Sequence, residues 1–348
     1  MRAFYHPEQA LHDPQQFMRF GKVKAAKDSP VRTQILLEAL ARRGVVVEPP
    51  ALHGTALVLA VHTKGLVDFL ETAWSRWTTI HDHGPEVWPA TFPYWSGRPE
   101  EAARPDCPAT GFAGQLGWYL GDLSVPIGPD TWASALRSSE TAVSAAEAIL
   151  GGADIAYALC RPSGHHARAD RAAGFCYLNN TAIAAQHLRS RGGKVAILDV
   201  DAHHGDGTQQ IFYNRADVLT VSIHADPSNY YPFYTGYAHE IGHGAGRGFN
   251  LNLPLPHGSA VDAMAGALDE ATRAIRDFGA ETLVVALGYD AHAQDPLGVL
   301  TLEAQDFAVI GDRVRSLGLK TLLVQEGGYA LDAIDGCFSA FLDGLTGR

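Results

Sequence analysis

The chain has 348 residues, 46% of them hydrophobic and 19% charged, which is enough to bury a sizeable core and excludes a fibrous or low-complexity protein. Its 38 acidic against 27 basic residues leave a formal charge of −11, which argues against a nucleic-acid surface and suits a cationic small molecule. No run reaches the ~18 apolar residues of a membrane span, the start "MRAFYHPEQALHDPQQ" lacks the order of a secretory signal, and Cys107, Cys160, Cys176 and Cys337 form no CxxC pair; a cytoplasmic protein without a disulfide framework, its cysteines buried as small apolar residues, is expected.

In the first third, "SPVRTQILLEALARRG" predicts a helix with Ser29 as N-cap, Pro30 at its first position and Gly44 just past its end. The stretch "HDHGPEVWPATFPYWSGRPEEAARPDCPATG", residues 81 to 111, is dense in Pro, Gly and aromatic residues and reads as a long loop of functional or interface character. Alternation becomes regular from about residue 134. The helix "WASALRSSETAVSAAEAILGG" is followed by the strand "DIAYALC", then by a helix over "NNTAIAAQHLRSRGG", the strand "KVAILDV", a short helix over "GTQQIFY" and the strand "VLTVSIH". Beyond a glycine-rich loop come a helix over "AVDAMAGALDEATRAIRDFG", the strand "ETLVVALG", a helix near 302 to 317, the strand "KTLLVQE" and a last helix. Apolar β-branched strands separated by crossover helices predict one α/β domain over 1 to 348: an open, mostly parallel sheet with helices on both faces.

Ligands of open parallel sheets bind beyond the carboxyl ends of the strands. Four predicted strands deliver polar residues there: His165 and His166 after "DIAYALC", Asp201 and His203 after "KVAILDV", Asp290 after "ETLVVALG", and Tyr329 in "GGY" after "KTLLVQE". Asp201, His203 and Asp290 offer two carboxylates and one imidazole to a divalent metal with coordination positions left open, the layout of a catalytic zinc site. Because two carboxylates neutralise much of the metal charge, a separate base is needed; His165 and His166 fit, with Asp199 and Asp206 as carboxylates to fix their tautomers. Tyr329 can donate its hydroxyl to a developing oxyanion. Alone, a histidine pair, an aspartate at a turn or a GGY turn is more often structural. Convergence on one rim reverses that balance. His62, His187, His224 and His257 read as structural or exposed, and "HDH" at 81 to 83 as surface loop without a third ligand.

The segments "RPSGHHA", "GFCYLNN", "ILDVDAHHGDGTQQIFY", "VSIH", "LGYDAHAQDPLG" and "EGGY", in this order, resemble the histone deacetylase superfamily. "HTKGLVDFLETAW" and "GQLGWYLGDLSVPIGPDTWASALRSS" look like its bacterial acetylpolyamine amidohydrolase branch, also called histone deacetylase-like amidohydrolases. The resemblance implies the arginase/deacetylase fold and zinc-dependent hydrolysis of an acetylated amine, with Fe2+ or Co2+ as possible replacements for the zinc. By motif position Asp201, His203 and Asp290 match the zinc ligands, His165 and His166 the general base and acid in that order, and Tyr329 the carbonyl-polarising tyrosine. Phe175 and Tyr231 match the two aromatic channel walls, and Leu297 adds an apolar wall more like that of lysine deacetylases. A structural potassium ion is implied at Asp199, Asp201, His203, Ser222 and Ile223. The insertion near 84 to 125 matches the segment that narrows the active site and forms the dimer contact, so a homodimer is implied.

Ala113 and Ser124 stand where that branch places carboxylates for distal ammonium groups, with Asp122, Glu100, Glu101 and Asp106 nearby, so the amine is open between acetylpolyamine, acetyl-lysine and another N-acyl amine. Ser163 replaces a common second proline without expected effect on catalysis. An arginase-like ureohydrolase is disfavoured, because Gly205 and His292 stand where a second metal would need carboxylates. A non-enzymatic binding protein is disfavoured because no ligand, histidine or tyrosine is lost.

Overall fold

The computed structural model describes residues 1–93, 104 and 106–348. Glu100 and Glu101 lie outside the described residues, as do residues 94–99, 102, 103 and 105 of the 84 to 125 insertion. In chain order the elements are β1 (Arg2–Phe4), β2 (Gln16–Arg19), β3 (Lys22–Ala25), α1 (Val31–Arg42), β4 (Val47–Glu48), α2 (Lys64–Trp77), α3 (Phe112–Tyr119), α4 (Thr131–Leu150), β5 (Ile155–Ala158), α5 (Asn180–Ser190), β6 (Val195–Asp199), α6 (Asp206–Phe212), β7 (Val218–Ala225), β8 (Asn250–Leu255), α7 (Val261–Phe278), β9 (Thr282–Leu287), α8 (Phe307–Ser316), β10 (Lys320–Gln325) and α9 (Leu331–Thr346).

The central strands β6, β7, β9 and β10 are almost wholly buried Val, Leu, Ile and Ala, as strands covered on both faces must be. They belong to an eight-stranded sheet of order β4-β1-β5-β10-β9-β6-β7-β8, parallel throughout. Alternate side chains feed two layers. Leu198, Val221, Val285 and Leu323 pack with α1, α7, α8 and α9, while Ile197, Val284, Leu322 and Val324 pack with α4, α5 and α6. A third apolar cluster joins α2, α3 and the start of α4, with Leu66, Phe69, Leu116 and Leu120 buried.

The predicted elements from α4 onward appear within a few residues of their expected bounds. Helix α1 starts one residue later than expected: Pro30 holds the cap position, and Ser29 Oγ accepts the Val31 N–H at 3.2 Å. Gly44 follows with φ +69°, the left-handed conformation that closes a helix. Besides the short strands β1 and β4, three features depart from the sequence expectation. The glycine-rich segment before α7 contains an edge strand, β8, whose Pro254 is tolerated because only β7 pairs with it. The insertion is not all loop, since α3 lies within it. Residues 16–25 form a β2–β3 antiparallel hairpin. As for the cysteines, Cys107 is half-buried and the other three buried.

Candidate active site

Strands β5, β10, β9 and β6 are neighbours in the sheet although distant in sequence, so the polar residues that follow them meet at one rim. His203 Nδ1 lies 2.9 Å from Asp290 Oδ2 and 3.2 Å from Asp201 Oδ1, and all three residues are buried. Two anionic oxygens and an imidazole nitrogen, mutually within 4.8 Å, form a cation-binding donor set. Backbone supports it. A Cβ on Gly327 would come 2.5 Å from Asp201 Oδ2 and 2.6 Å from Asp290 Oδ2, so the turn after β10 must be glycine for the carboxylates to approach. The Gly327 N–H donates to Asp201 Oδ2 at 2.8 Å, and the Ala202 N–H to Asp290 Oδ1 at 2.7 Å. Burial and the facing Asp201 carboxylate push Asp290 up to about 7, and Asp290 and Asp201, against the effect of burial, push His203 up to about 9. Without a cation the cluster therefore holds protons in its place. The residues fit a divalent metal.

His165 and His166 follow β5 with ring centres 4.0 Å apart and are almost fully buried. Each has its own carboxylate: His165 Nδ1 to Asp199 Oδ2 at 3.0 Å and His166 Nδ1 to Asp206 Oδ1 at 2.8 Å, which leaves both Nε2 atoms for the site. Their surroundings differ in sign. Burial lowers both. For His165 the charges of Asp199 and Asp201 outweigh burial and raise it well above the ordinary imidazole range. Burial and the neighbouring His165 bring His166 down to about 4, against the pull of Asp206, which also takes Arg168 at 2.8 Å. At neutral pH His166 is the neutral imidazole.

Tyr329 is half-buried at the same rim, its ring 5.7 Å from Phe175, and burial holds its hydroxyl protonated. Phe175, Tyr231, Leu297 and Tyr329, with both histidines and His203, line a cavity of about 990 Å³. The Tyr231 ring stands edge-on to His166 at 4.8 Å, and its hydroxyl donates to Asp122 Oδ2 at 2.7 Å. Asp122 lines the cavity, and Ser124, standing where a carboxylate was expected, donates its hydroxyl to Asp122 at 2.5 Å. Ala113 is exposed on α3 and Asp106 faces Gly65 and Tyr119; neither lines the cavity. Asp199 and Ser222 are register partners on β6 and β7, with buried Ile223 next along the strand. Of the remaining histidines, His62, His187 and His224 are buried and hydrogen-bonded, and His257 and the 81 to 83 segment are exposed. The Ser163 hydroxyl is buried without a hydrogen-bond partner among the described residues.

Several supporting residues had escaped the sequence reading. Glu326 Oε2 accepts the N–H groups of Gly164 (2.7 Å) and His165 (3.1 Å), and Oε1 the Thr181 hydroxyl, tying the end of β10 to the histidine turn. Asp295 accepts the Tyr329 N–H at 2.6 Å. Arg32, on α1, donates to the Gly328 and Glu326 carbonyls and lies 4.8 Å over the Tyr329 ring, with Asp28 as its buried counter-ion. Glu326 and Asp295 lie inside the matched motifs and could have been assigned from the rim argument; Arg32 carries no sequence signal.

The histone deacetylase domain model matches residues 26–345. The chain belongs to the histone deacetylase family. The acetylpolyamine amidohydrolase of Burkholderia pseudomallei is 42% identical over 346 residues, covering 99% of this chain and 98% of that protein. Acetylpolyamine amidohydrolase 1 of Pseudomonas aeruginosa is 42% identical over 96% of this chain and 95% of its own length. The crystal structure of acetylpolyamine aminohydrolase from Burkholderia pseudomallei superposes with a TM-score of 0.94, covering 99% of this chain and 98% of that one at 41% identity. Family membership and the eight-stranded parallel sheet agree with the expected deacetylase fold.

Proposed function

We propose that this amide hydrolase removes the acetyl group from N-acetylated alkyl amines, acetylpolyamines among them, and releases acetate. The observation that carries the reading is the convergence of the Asp201–His203–Asp290 donor set, two carboxylate-backed histidines and a protonated tyrosine at the floor of one cavity. The named relatives support the substrate class.

Asp201, His203 and Asp290 would hold a divalent metal, zinc in our reading with Fe2+ or Co2+ as replacements, which supplies acidification of a bound water and polarisation of the amide carbonyl. His166, neutral and oriented by Asp206, is suited to take the proton of the attacking water. His165, whose hydrogen bond to Asp199 favours its protonated form, is suited to steady the negative charge that develops and to return a proton to the departing amine. These roles reverse the base-then-acid order expected from the sequence, because burial and the neighbouring His165 lower His166 while Asp199 and Asp201 raise His165. The cations proposed at Asp201 and Asp199 would reduce both charges that raise His165, so the assignment rests on the lowered His166. Tyr329, locked by Asp295 and Arg32, would donate its O–H to the carbonyl oxygen as it gains charge. Phe175, Tyr231 and Leu297 would enclose the methylenes next to the amide.

The proposal extends to a potassium ion at Asp199, Asp201, His203, Ser222 and Ile223, where buried carboxylate charge at the end of β6 calls for compensation, to a homodimer through the 84 to 125 insertion, and to a cytoplasmic setting; no helix among the described residues is long and apolar enough to cross a membrane. The reaction is tested by acetate release from N-acetylputrescine, N8-acetylspermidine and acetyl-lysine. Release from none of them by the zinc-loaded protein contradicts the reading.

A further inference from the structure

Asp122 takes no part in the chemistry described above, yet the two aromatic walls of the channel meet at its carboxylate. It follows α3 in the short segment 120–124, which runs beside 172–174: Leu120 bridges to Ala172, and the Gly121 N–H donates to the Ala172 carbonyl at 2.7 Å. The Met18 N–H of β2 holds the same segment through the Leu123 carbonyl at 3.1 Å. Backbone contacts thus set the place of Asp122 independently of its side chain.

The carboxylate receives four hydrogen bonds, two at each oxygen. Oδ1 accepts the Ser124 N–H at 2.7 Å and the Ser124 hydroxyl at 2.5 Å, which orients the group within its own turn. Oδ2 accepts the Gly174 N–H at 3.0 Å and the Tyr231 hydroxyl at 2.7 Å. Burial and the Asp122 charge hold the Tyr231 hydroxyl protonated, so it is the donor. Each carboxylate oxygen offers two lone pairs, and all four are taken. The carboxylate therefore acts on a substrate through the walls, whatever the amine carries at its far end.

Both wall contacts fall where the wall needs support. Gly174 opens the turn that presents Phe175, and the two residues are left-handed in succession, at φ +55° and +65°. A Cβ on Gly174 would collide with the His166 ring and come 2.9 Å from the Tyr231 hydroxyl. A phenylalanine occupies this region only at an energetic cost and persists there where its surroundings hold it. The Phe17 ring, edge-on at 5.5 Å, and the bond from Gly174 to Asp122 hold it. Tyr231, the other wall, stands edge-on to His166 at 4.8 Å, and its loop is tied down behind it by the Gly236 N–H on Glu240 at 2.7 Å. Its hydroxyl gives an otherwise apolar wall its one attachment to the insertion among the described residues.

We propose that Asp122 is a positioning residue that clamps Phe175 and Tyr231 to each other, and so sets the width of the alkyl chain that can follow the scissile amide in the deacetylation proposed above. The inference rests on that reaction but is tested apart from it. The first readout is the kcat/KM ratio of N-butylacetamide to its wider analogue N-(2,2-dimethylpropyl)acetamide, in the zinc-loaded protein, in Asp122→Ala and in Tyr231→Phe. Forcing extra methyl groups between fixed walls is costly, so the ratio is expected at about tenfold or more in the wild type and about threefold or less in each variant. Tyr231→Phe keeps the ring and removes only its bond to Asp122, so it decides the question even where Asp122→Ala fails to fold. The ratio of N-acetylputrescine to N-butylacetamide should stay within about twofold in both variants, because the clamp does not read charge. The second readout is amide hydrogen exchange, which should quicken about tenfold or more at Gly174 in Asp122→Ala while the central strands keep their protection.

A width ratio unchanged in either variant overturns the proposal. So does a loss on N-acetylputrescine in Asp122→Ala that exceeds the loss on N-butylacetamide by about tenfold, which would mean that the carboxylate receives the distal ammonium. If no amide is hydrolysed, the deacetylase reading fails, and exchange at Gly174 still decides the clamp: protection kept in Asp122→Ala overturns it.

Discussion

At the scale of single residues, the two histidines are chemically alike and differ only in what stands behind them. Asp199 and Asp201 raise His165, whereas burial and the charge of His165 lower His166, so His166 is the neutral partner. Replacement of His166 by Ala is expected to lower turnover by roughly a hundredfold or more, and by more than His165→Ala, in side-by-side assays at pH 7.5. Equal losses, or a larger loss at His165, would restore the order expected from the sequence. Tyr329→Phe keeps the ring against Phe175 and Arg32 but removes the donor; kcat should fall by roughly a hundredfold or more with KM little changed. All of the residues proposed to react were legible in the sequence, because they cluster in short motifs at strand ends. Their opposite shifts were not, since they depend on burial and on the distances to Asp199 and Asp201 in the folded chain.

At the scale of elements, the parallel sheet was legible from β5 onward because its central strands are uninterrupted apolar runs. Strands β1, β4 and β8 escaped notice because two are only two or three residues long and the third alternates around a proline. The β2–β3 hairpin turns on Phe-Gly rather than on an ordinary turn pair, which hid it; the same turn puts Phe20 at the mouth. The β10 terminus shows how an element sets the chemistry. Gly327→Ala would force a Cβ against both Asp201 and Asp290, so the variant should bind markedly less zinc and lose activity while keeping native circular dichroism. Full zinc occupancy in that variant would separate the glycine turn from the donor set.

At the scale of the whole molecule, the site stores buried like charge between two layers of apolar packing. A ligand that binds only the native state stabilises it, by about 2.7 kcal/mol at a hundredfold excess over Kd. Zinc should therefore raise the melting temperature. Because the metal-free chain holds Asp290 at about 7 and His203 at about 9, the cation must displace protons, so the shift should be larger at pH 8 than at pH 6. A shift independent of pH would argue for zinc elsewhere. The measurement that tests the account most directly is acetate release from an N-acetylated alkyl amine by the zinc-loaded protein, repeated after chelation and after zinc is restored. The account predicts turnover that disappears on chelation and returns with the metal, and that Asp290→Asn does not recover. Turnover that survives complete removal of the metal, or its absence with zinc bound at Asp201, His203 and Asp290, would contradict it.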